Sequence, residues 1–516
     1  MFRFLNIVII SLITSIVSAQ GYYDVTKYGI PNDSTFVGKN AIDNIIQKAV
    51  QKGGGTIYFP AGKYLTGSIK LESNITIFID AGAELHFSDD FDNYIPMVPS
   101  RWEGTTVINF SPFFYAYKAK NITITGRGLI DGHGRNWWNY SEGFDDKKPK
   151  SKWENTFFEN NKNVLAPPDS KWLKRGFLRP PFIQPMYCEN VLIEGITIQN
   201  SPFWTVNPEF CKNVTVRSVT INNPHSPNTD GINPESCSYV HISDCHISVG
   251  DDCITIKSGK DEDGRKQAAP AEDYVITNCT MLSGHGGVVI GSEMSGGVRN
   301  IAISNCIFDG TDRGIRIKST RGRGGVVENI RVDNIIMHNI KQQAFVLDTR
   351  YAKSTIGPVS ERTPIFRNIH ISNVTANTKD AVFINGLEEM PIEDVSFSNI
   401  HLEAENGFDI HYSKNISLNN VFFSGVKTSL VKIENSSDID LKYLKLEKST
   451  EEKPWVSAIN VDGLFIDGCR PKKGTKTFLQ LSGKTTSNIG FGTNDFRNVS
   501  QVVVKDYDVK KDAILK

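Results

Sequence analysis

One pattern recurs along this chain and leaves few folds open to it. A head residue, usually Asn or Asp, starts a short alternating apolar strand, and a second short apolar strand follows. Heads stand at Asn190, Asn213, Tyr239, Asp273, Asn300, Asn329 and Asn368. Weaker copies start at Asp394, Asn415 and Asp438, and earlier ones at Asn74 and Asn121. From residue 190 onward the head-to-head spacings are 23, 26, 34, 27, 29, 39, 26, 21 and 23. A period in the twenties with strands this short marks a solenoid. Alternation with period two says strand, not helix. Every copy runs the same way, so each stacks in parallel on the next, about 4.8 Å away. The expected fold is all-β, a parallel β-helix whose inward residues fill one continuous tube. A propeller blade needs about twice this period.

The ends of the tube read differently. Residues Tyr22 to Leu85 form its expected start, an N-terminal cap. Ala41 to Gln51 is patterned as an amphipathic helix, which would cover the open strand edges of the first coil. The chain after about Lys448 is expected to close the other end. Before the fold, Met1 to Ala19 reads as a signal peptide: Arg3, then an apolar run, then Val17-Ser18-Ala19. This predicts export, to a periplasm or beyond the cell, and a single parallel β-helix domain over residues 20–516. No second stretch is long and apolar enough for a membrane span.

Eight cysteines in an exported chain raise the prospect of disulfides. The repeat argues against most of them. Cys188, Cys211 and Cys237 each fall two residues before a head, and Cys245, Cys279 and Cys306 each fall six after one. Both sets are columns, and the second is an inward one. Buried thiols acting as small hydrophobes explain them, with room for one disulfide. No CxxC pair or His/Cys spacing suggests zinc, and no metal or other cofactor is expected.

Polar residues gather on one stretch of successive coils: Asn228-Thr229-Asp230-Gly231, Gly250-Asp251-Asp252, Gly284-His285-Gly286 and Arg316-Ile317-Lys318. Aligning the coils superposes Asp230-Gly231-Ile232 on Asp252-Cys253-Ile254 and on Arg313-Gly314-Ile315. Asp230 and Asp252, 22 residues apart, then become stacked neighbours with Asp251 beside them at the turn. Three carboxylates so close must push their proton affinities apart. A fold has no need of that; a proton-transfer site does. Each motif alone is commonplace, and their coincidence on adjacent coils is what carries the reading.

Residues 313 to 323 hold five basic side chains and no acidic one. Arg316 and Lys318 share a strand face, and Lys257 aligns with Lys318. The chain as a whole has 57 basic and 57 acidic residues, so no global field draws it to nucleic acid or a membrane. A local basic patch beside acids instead suits an anionic sugar chain.

At these residues the sequence resembles family 28 of the glycoside hydrolases, the polygalacturonase-like enzymes. The match is strongest from Cys188 to Lys318. The resemblance implies a right-handed β-helix, a pectic polysaccharide or oligogalacturonide substrate, and metal-free hydrolysis of α-linked galacturonate with inversion. It implies Asp251 as the general acid, Asp230 and Asp252 as the carboxylates that activate water, and His285 as the residue that tunes the acid. Arg316 and Lys318 correspond to binders of the substrate carboxylate and Tyr351 to a sugar-contacting tyrosine; Asn228 belongs to the substrate-binding set. A water-admitting pair of carboxyl groups stands about 6.5–9.5 Å apart, and that gap predicts inversion. Lys257 to Pro270 reads as an inserted charged loop.

From the copy at Asn121 to that at Asn190 is 69 residues, far more than one coil needs. The excess carries Trp137, Trp138, Trp153 and Trp172 with Lys147, Lys148 and Lys150. It is expected to wall off one end of the cleft, so that the enzyme acts from chain ends and these side chains meet the terminal sugars. A monomer is expected. Rhamnogalacturonan or xylogalacturonan are alternative substrates. A calcium-dependent pectate lyase and a non-catalytic carbohydrate-binding β-helix are the alternative functions.

Overall fold

The computed structural model describes residues 21–143, 151–164, 179–223, 226–448 and 453–515. Strands pair almost wholly in parallel from coil to coil, and the long strand columns wind around a common core. One column runs through Gly55–Phe59, Ile75–Ile79, Lys120–Gly126, Glu189–Glu194, Lys212–Arg217, Ser238–Ser243 and Ala271–Thr277. A second runs through Ala83–Phe87, Leu129–Asp131, Thr197–Gln199, Thr220–Asn223, His246–Val249 and Thr280–Ser283. In the third, Val206, Ile232, Ile254, Val288, Ile315 and Phe345 stand in line. This third column carries the polar motifs.

The head residues explain why the coils turn where they do. Asn121, Asn190, Asn213, Asn300 and Asn329 all hold φ between 56° and 60°. Asn tolerates this left-handed conformation because its short amide bonds locally. Here the amides also bond each other between coils. Asn121 donates to Asn74 at 2.8 Å, Asn190 to Asn121 at 2.9 Å and Asn213 to Asn190 at 2.7 Å. The repeated head is therefore both a turn and a rung of a ladder.

Helix α1 (Lys39–Gln51) lies against the first coils and buries Ile42, Ile45, Ile46 and Ala49. At the far end coils continue past residue 448. Asp462–Asp467 pairs with Ser437–Lys442, and Thr475–Ser482 pairs onward with Val499–Lys505. The expected closing segment is thus itself coiled.

All eight cysteines are free and buried. The backbone N–H of Cys188 donates to Cys211 Sγ at 3.4 Å, and that of Cys211 to Cys237 Sγ at 3.3 Å. These thiols pack as a column, and no disulfide forms.

The insertion after Asn121 corrects one expectation. It forms α2 (Arg135–Glu142) and α3 (Lys152–Asn161). Trp137 is fully buried, its ring 4.3 Å from Phe91 and 5.2 Å from Tyr94. It anchors the insertion to the tube and cannot stack on a sugar. Trp153 packs on Phe91 and donates to Asp92 at 2.8 Å. Trp138 donates to the Ser201 carbonyl at 3.0 Å and lines a groove with His133, Arg135 and Asn200. The signal segment, Lys147, Lys148, Lys150 and Trp172 lie outside the described residues.

Lys257 to Pro270 is likewise more ordered than a loop. It contains α4 (Asp261–Gln267), tied down by Arg101–Asp263 at 2.8 Å and by an Arg323–Asp261 pair.

Candidate active site

The register expected from sequence holds. Ile232 bridges Ile254, Ile254 pairs with Val288, and Val288 with Ile315. The turns just before Ile232, Ile254 and Val288 therefore bring Asp230, Asp252 and His285 onto consecutive coils, and the strand Ile315–Lys318 carries Arg316 on the next. Oxygens of Asp230, Asp251 and Asp252 all lie within 4.8 Å of one another. Asp230 and Asp252 are one coil apart and Asp251 adjoins Asp252, which brings the three together. Their nearest oxygens are therefore closer than the gap of about 6.5–9.5 Å named above. The spacing thus gives no geometric ground for inversion.

The three acids differ in what surrounds them. Asp230 is 3% exposed. Its Oδ2 accepts from Asn233 at 2.9 Å and Thr255 at 3.2 Å, with Lys257 Nζ 3.8 Å away. Burial, then repulsion from Asp251, pushes its pKa up to about 8. Asp252 pairs through Oδ2 with Lys318 Nζ at 2.9 Å. Its Oδ1 is buried and has no hydrogen-bond partner among the described residues.

Asp251 is the most open of the three, with a side chain 18% exposed. His285 Nδ1 is 3.1 Å from its Oδ1, and Asn228 Nδ2 donates to Oδ2 at 3.5 Å. Burial alone raises its pKa, but the His285 bond and charge, with Lys318 and Lys257, outweigh burial and hold it below the usual range. The same bond raises His285. The glycines around His285 make this approach possible. Gly284 has φ +148°, and a Cβ there would sit 2.4 Å from the Asp251 carbonyl.

The basic side of the site is also assembled. Tyr351 is 47% exposed. The Arg316 guanidinium lies 5.3 Å and the Lys318 ammonium 5.4 Å from the Tyr351 ring centroid. Buried Arg316 Nε has no partner among the described residues. Lys318, expected to bind substrate, is committed to Asp252. All eight residues singled out from sequence thus gather at one site, with Asp230, Asp252 and Lys318 buried in its floor and Asp251, His285 and Tyr351 more open.

Four further residues shape the site, and for three of them no sequence motif announces it. Arg179 is buried over Phe203 and donates to Asn228 Oδ1 at 2.7 Å. Burial lowers its pKa to about 10. Lys257 sits 4.4 Å from the Trp204 ring centroid and 2.9 Å from Glu293. Burial opposes the Glu293 charge, but Lys257 and then Arg323 hold it well below the carboxylate range. The alignment of Lys257 with Lys318 was a usable signal; nothing marked Arg179, Trp204 or Glu293.

Similarity to known proteins agrees with this chemistry. A family model described as glycosyl hydrolases family 28 matches residues 169–415. A second, rhamnogalacturonase A/epimerase, pectate lyase-like, matches residues 22–164. A probable polygalacturonase of Vitis vinifera is 33% identical over 371 residues, covering 70% of each chain. The chain belongs to glycosyl hydrolase family 28. An exo-poly-alpha-D-galacturonosidase of Dickeya chrysanthemi is 25% identical, over 86% of this chain and 74% of that one. The crystal structure of a Thermotoga maritima exopolygalacturonase matches with TM-score 0.68 and 32% identity, over 78% of this chain and 92% of that one. This family 28 protein therefore has the right-handed parallel β-helix of its neighbours. It is a glycoside hydrolase of the polygalacturonases, with pectic polysaccharide as its substrate class.

Proposed function

We propose that the protein is an exported, monomeric exo-polygalacturonase with one catalytic β-helix over residues 20–516. It hydrolyses α-linked galacturonate with inversion. The observation that carries the reading is the cluster of three carboxylates of unequal proton affinity beside Arg316, Lys318 and Tyr351. Among the described residues no helix is long and apolar enough to cross a membrane.

Asp251 is the acid because it is the most accessible of the three. Substrate closing over it removes water and adds a like-charged carboxylate nearby, and both raise its pKa. With its pKa raised it takes up a proton from bulk water, and gives that proton to the bridging oxygen as the bond to the anomeric carbon breaks. Asp252, with its free Oδ1 and its Lys318 partner, takes a proton from the water that attacks that carbon. Asp230 adjoins Asp252, and the two cradle the water from adjacent coils. Inversion by water, not a covalent intermediate, is what the family 28 resemblance implies; the short carboxylate spacing does not supply it. Arg316 Nε offers a buried, charge-assisted donor for the substrate carboxylate.

Exo action is supported by the exo-acting relatives and by the helical insertion anchored through Trp137 beside the tube. The early product profile on polygalacturonate tests it. Monomer or one short product is expected; a spread of mid-length oligomers would defeat the exo reading. Proton NMR of the first product tests the stereochemistry: inversion gives the β anomer first, and an initial α anomer would show retention. The match of residues 22–164 to a rhamnogalacturonase model gives the alternating rhamnose-galacturonate backbone specific support as a second substrate. Reducing-end release across a pectin panel separates the two. A calcium site at the three acids is disfavoured because the ammonium groups of Lys257 and Lys318 already stand beside Asp230 and Asp252.

A further inference from the structure

Two histidines and an aspartate meet on the outer face of the coils N-terminal to the carboxylate cluster. His86 and Asp131 are register partners on neighbouring coils. His133 follows at the turn. Its Nε2 lies 3.2 Å from His86 Nδ1 and 3.7 Å from Asp131 Oδ1. One donor atom from each residue lies within 4.8 Å of the other two.

Two imidazole nitrogens this close need one proton or one cation between them. The other side of the His86 ring supplies the orientation. His86 Nε2 lies 3.0 Å from Glu84 Oε2. Lys63 Nζ stands 3.0 Å from that same carboxylate oxygen. A carboxylate paired with a lysine accepts from the ring N–H, so the His86 proton belongs on Nε2 and the Nδ1 lone pair faces His133. A carboxylate holding the far nitrogen of an imidazole is the usual support of a metal-bound histidine. Across a tetrahedral zinc, two nitrogens at about 2.05 Å from the metal stand about 3.4 Å apart. The observed gap is 3.2 Å.

Asp131 is positioned as well. Its Oδ1 accepts from the His133 backbone N–H and Asn200 Nδ2, both at 2.9 Å, and its Oδ2 from Gln199 Nε2 at 2.7 Å. These donors fix the carboxylate beside the two rings.

We propose that His86, His133 and Asp131 bind one divalent cation of borderline softness, of the zinc, nickel or copper class, with a fourth position open to water. Two nitrogen ligands in three turn the site away from calcium and magnesium, which take oxygen. The cation ties strand Ala83–Phe87 to strand Leu129–Asp131 and to the turn leading into α2. It therefore clamps the base of the insertion, where His133 lines the groove with Trp138 and Arg135. The site is separate from the catalytic acids and does not depend on the reaction assigned to them.

The test is zinc titration of the full-length, chelator-stripped protein by calorimetry, with melting temperature as a second readout. One equivalent should bind and raise the melting temperature. His86→Ala and His133→Ala should each weaken binding at least tenfold and abolish the thermal shift, with the circular dichroism spectrum unchanged. Asp251→Asn should bind zinc as the wild type does. Cobalt-loaded protein should show the visible bands of a four-coordinate site, lost in His86→Ala. No binding at millimolar zinc, equal binding in the double histidine variant, or loss of binding in Asp251→Asn would each overturn the proposal.

Discussion

Asp251 and His285 share a 3.1 Å contact, and each alters the proton affinity of the other. Removing the ring in His285→Ala frees Asp251 to hold its proton to higher pH. The alkaline limb of kcat/KM against pH should move up by about one unit. The pair also affects stability. Asp251 is lowered, so its contribution is present above about pH 4 and lost as pH falls through its folded value. His285 is raised, so its contribution is present below about pH 6.5 and lost as pH rises through its folded value. The melting temperature gap between wild type and His285→Ala should therefore be widest near pH 5, between those limits. Asp230 has the opposite sign. A buried acid raised to about 8 destabilises the fold as pH climbs from its unfolded value toward its folded one. Asp230→Asn should gain melting temperature over wild type progressively across that range. The acids and His285 were legible in sequence because each lies in a compact motif at a coil turn. Arg179 and Glu293 were not, because only folding brings them near and no local spacing marks them.

At the scale of the element, the Asn ladder was legible as a repeated head residue. The repeat did not reveal that the head sits at positive φ and bonds its neighbour across coils. Asn213 has φ 59° and donates to Asn190 at 2.7 Å. Asn213→Ala loses that bond and forces an alanine into the left-handed region, a cost of about 1–2 kcal/mol for the backbone alone. Asn213→Gly loses only the bond. Urea midpoints should therefore fall further for alanine than for glycine; equal losses would mean that the conformation carries no penalty. The insertion was legible as excess length. The role of Trp137 was not legible, because composition cannot tell an anchoring ring from a sugar platform. Burial against Phe91 and Tyr94 decides that.

Across the whole molecule, distant segments are joined by buried charge. Arg101, on the antiparallel hairpin at residues 98–109, is 1% exposed. It pairs with Glu235 at 2.7 Å, Glu209 at 3.3 Å and Asp263 at 2.8 Å. Glu209, Glu235 and Lys257 are themselves stacked on successive coils. Arg101→Met leaves two buried carboxylates without their partner and should cost about 3–5 kcal/mol, read by chemical denaturation. The tube was legible from its period alone, whereas this network, built from residues over 100 positions apart, has no sequence signature. What the tube does chemically rests on the three acids it gathers. The most direct test is turnover of polygalacturonate by wild type and Asp251→Asn, with substrate binding measured in parallel and every assay run both with and without a calcium chelator. The account predicts reducing-end release by wild type without an unsaturated, ultraviolet-absorbing product. It predicts a loss of roughly 100- to 10,000-fold in the variant with binding retained. Turnover near wild type in Asp251→Asn, or an unsaturated product that disappears with the chelator, would contradict it.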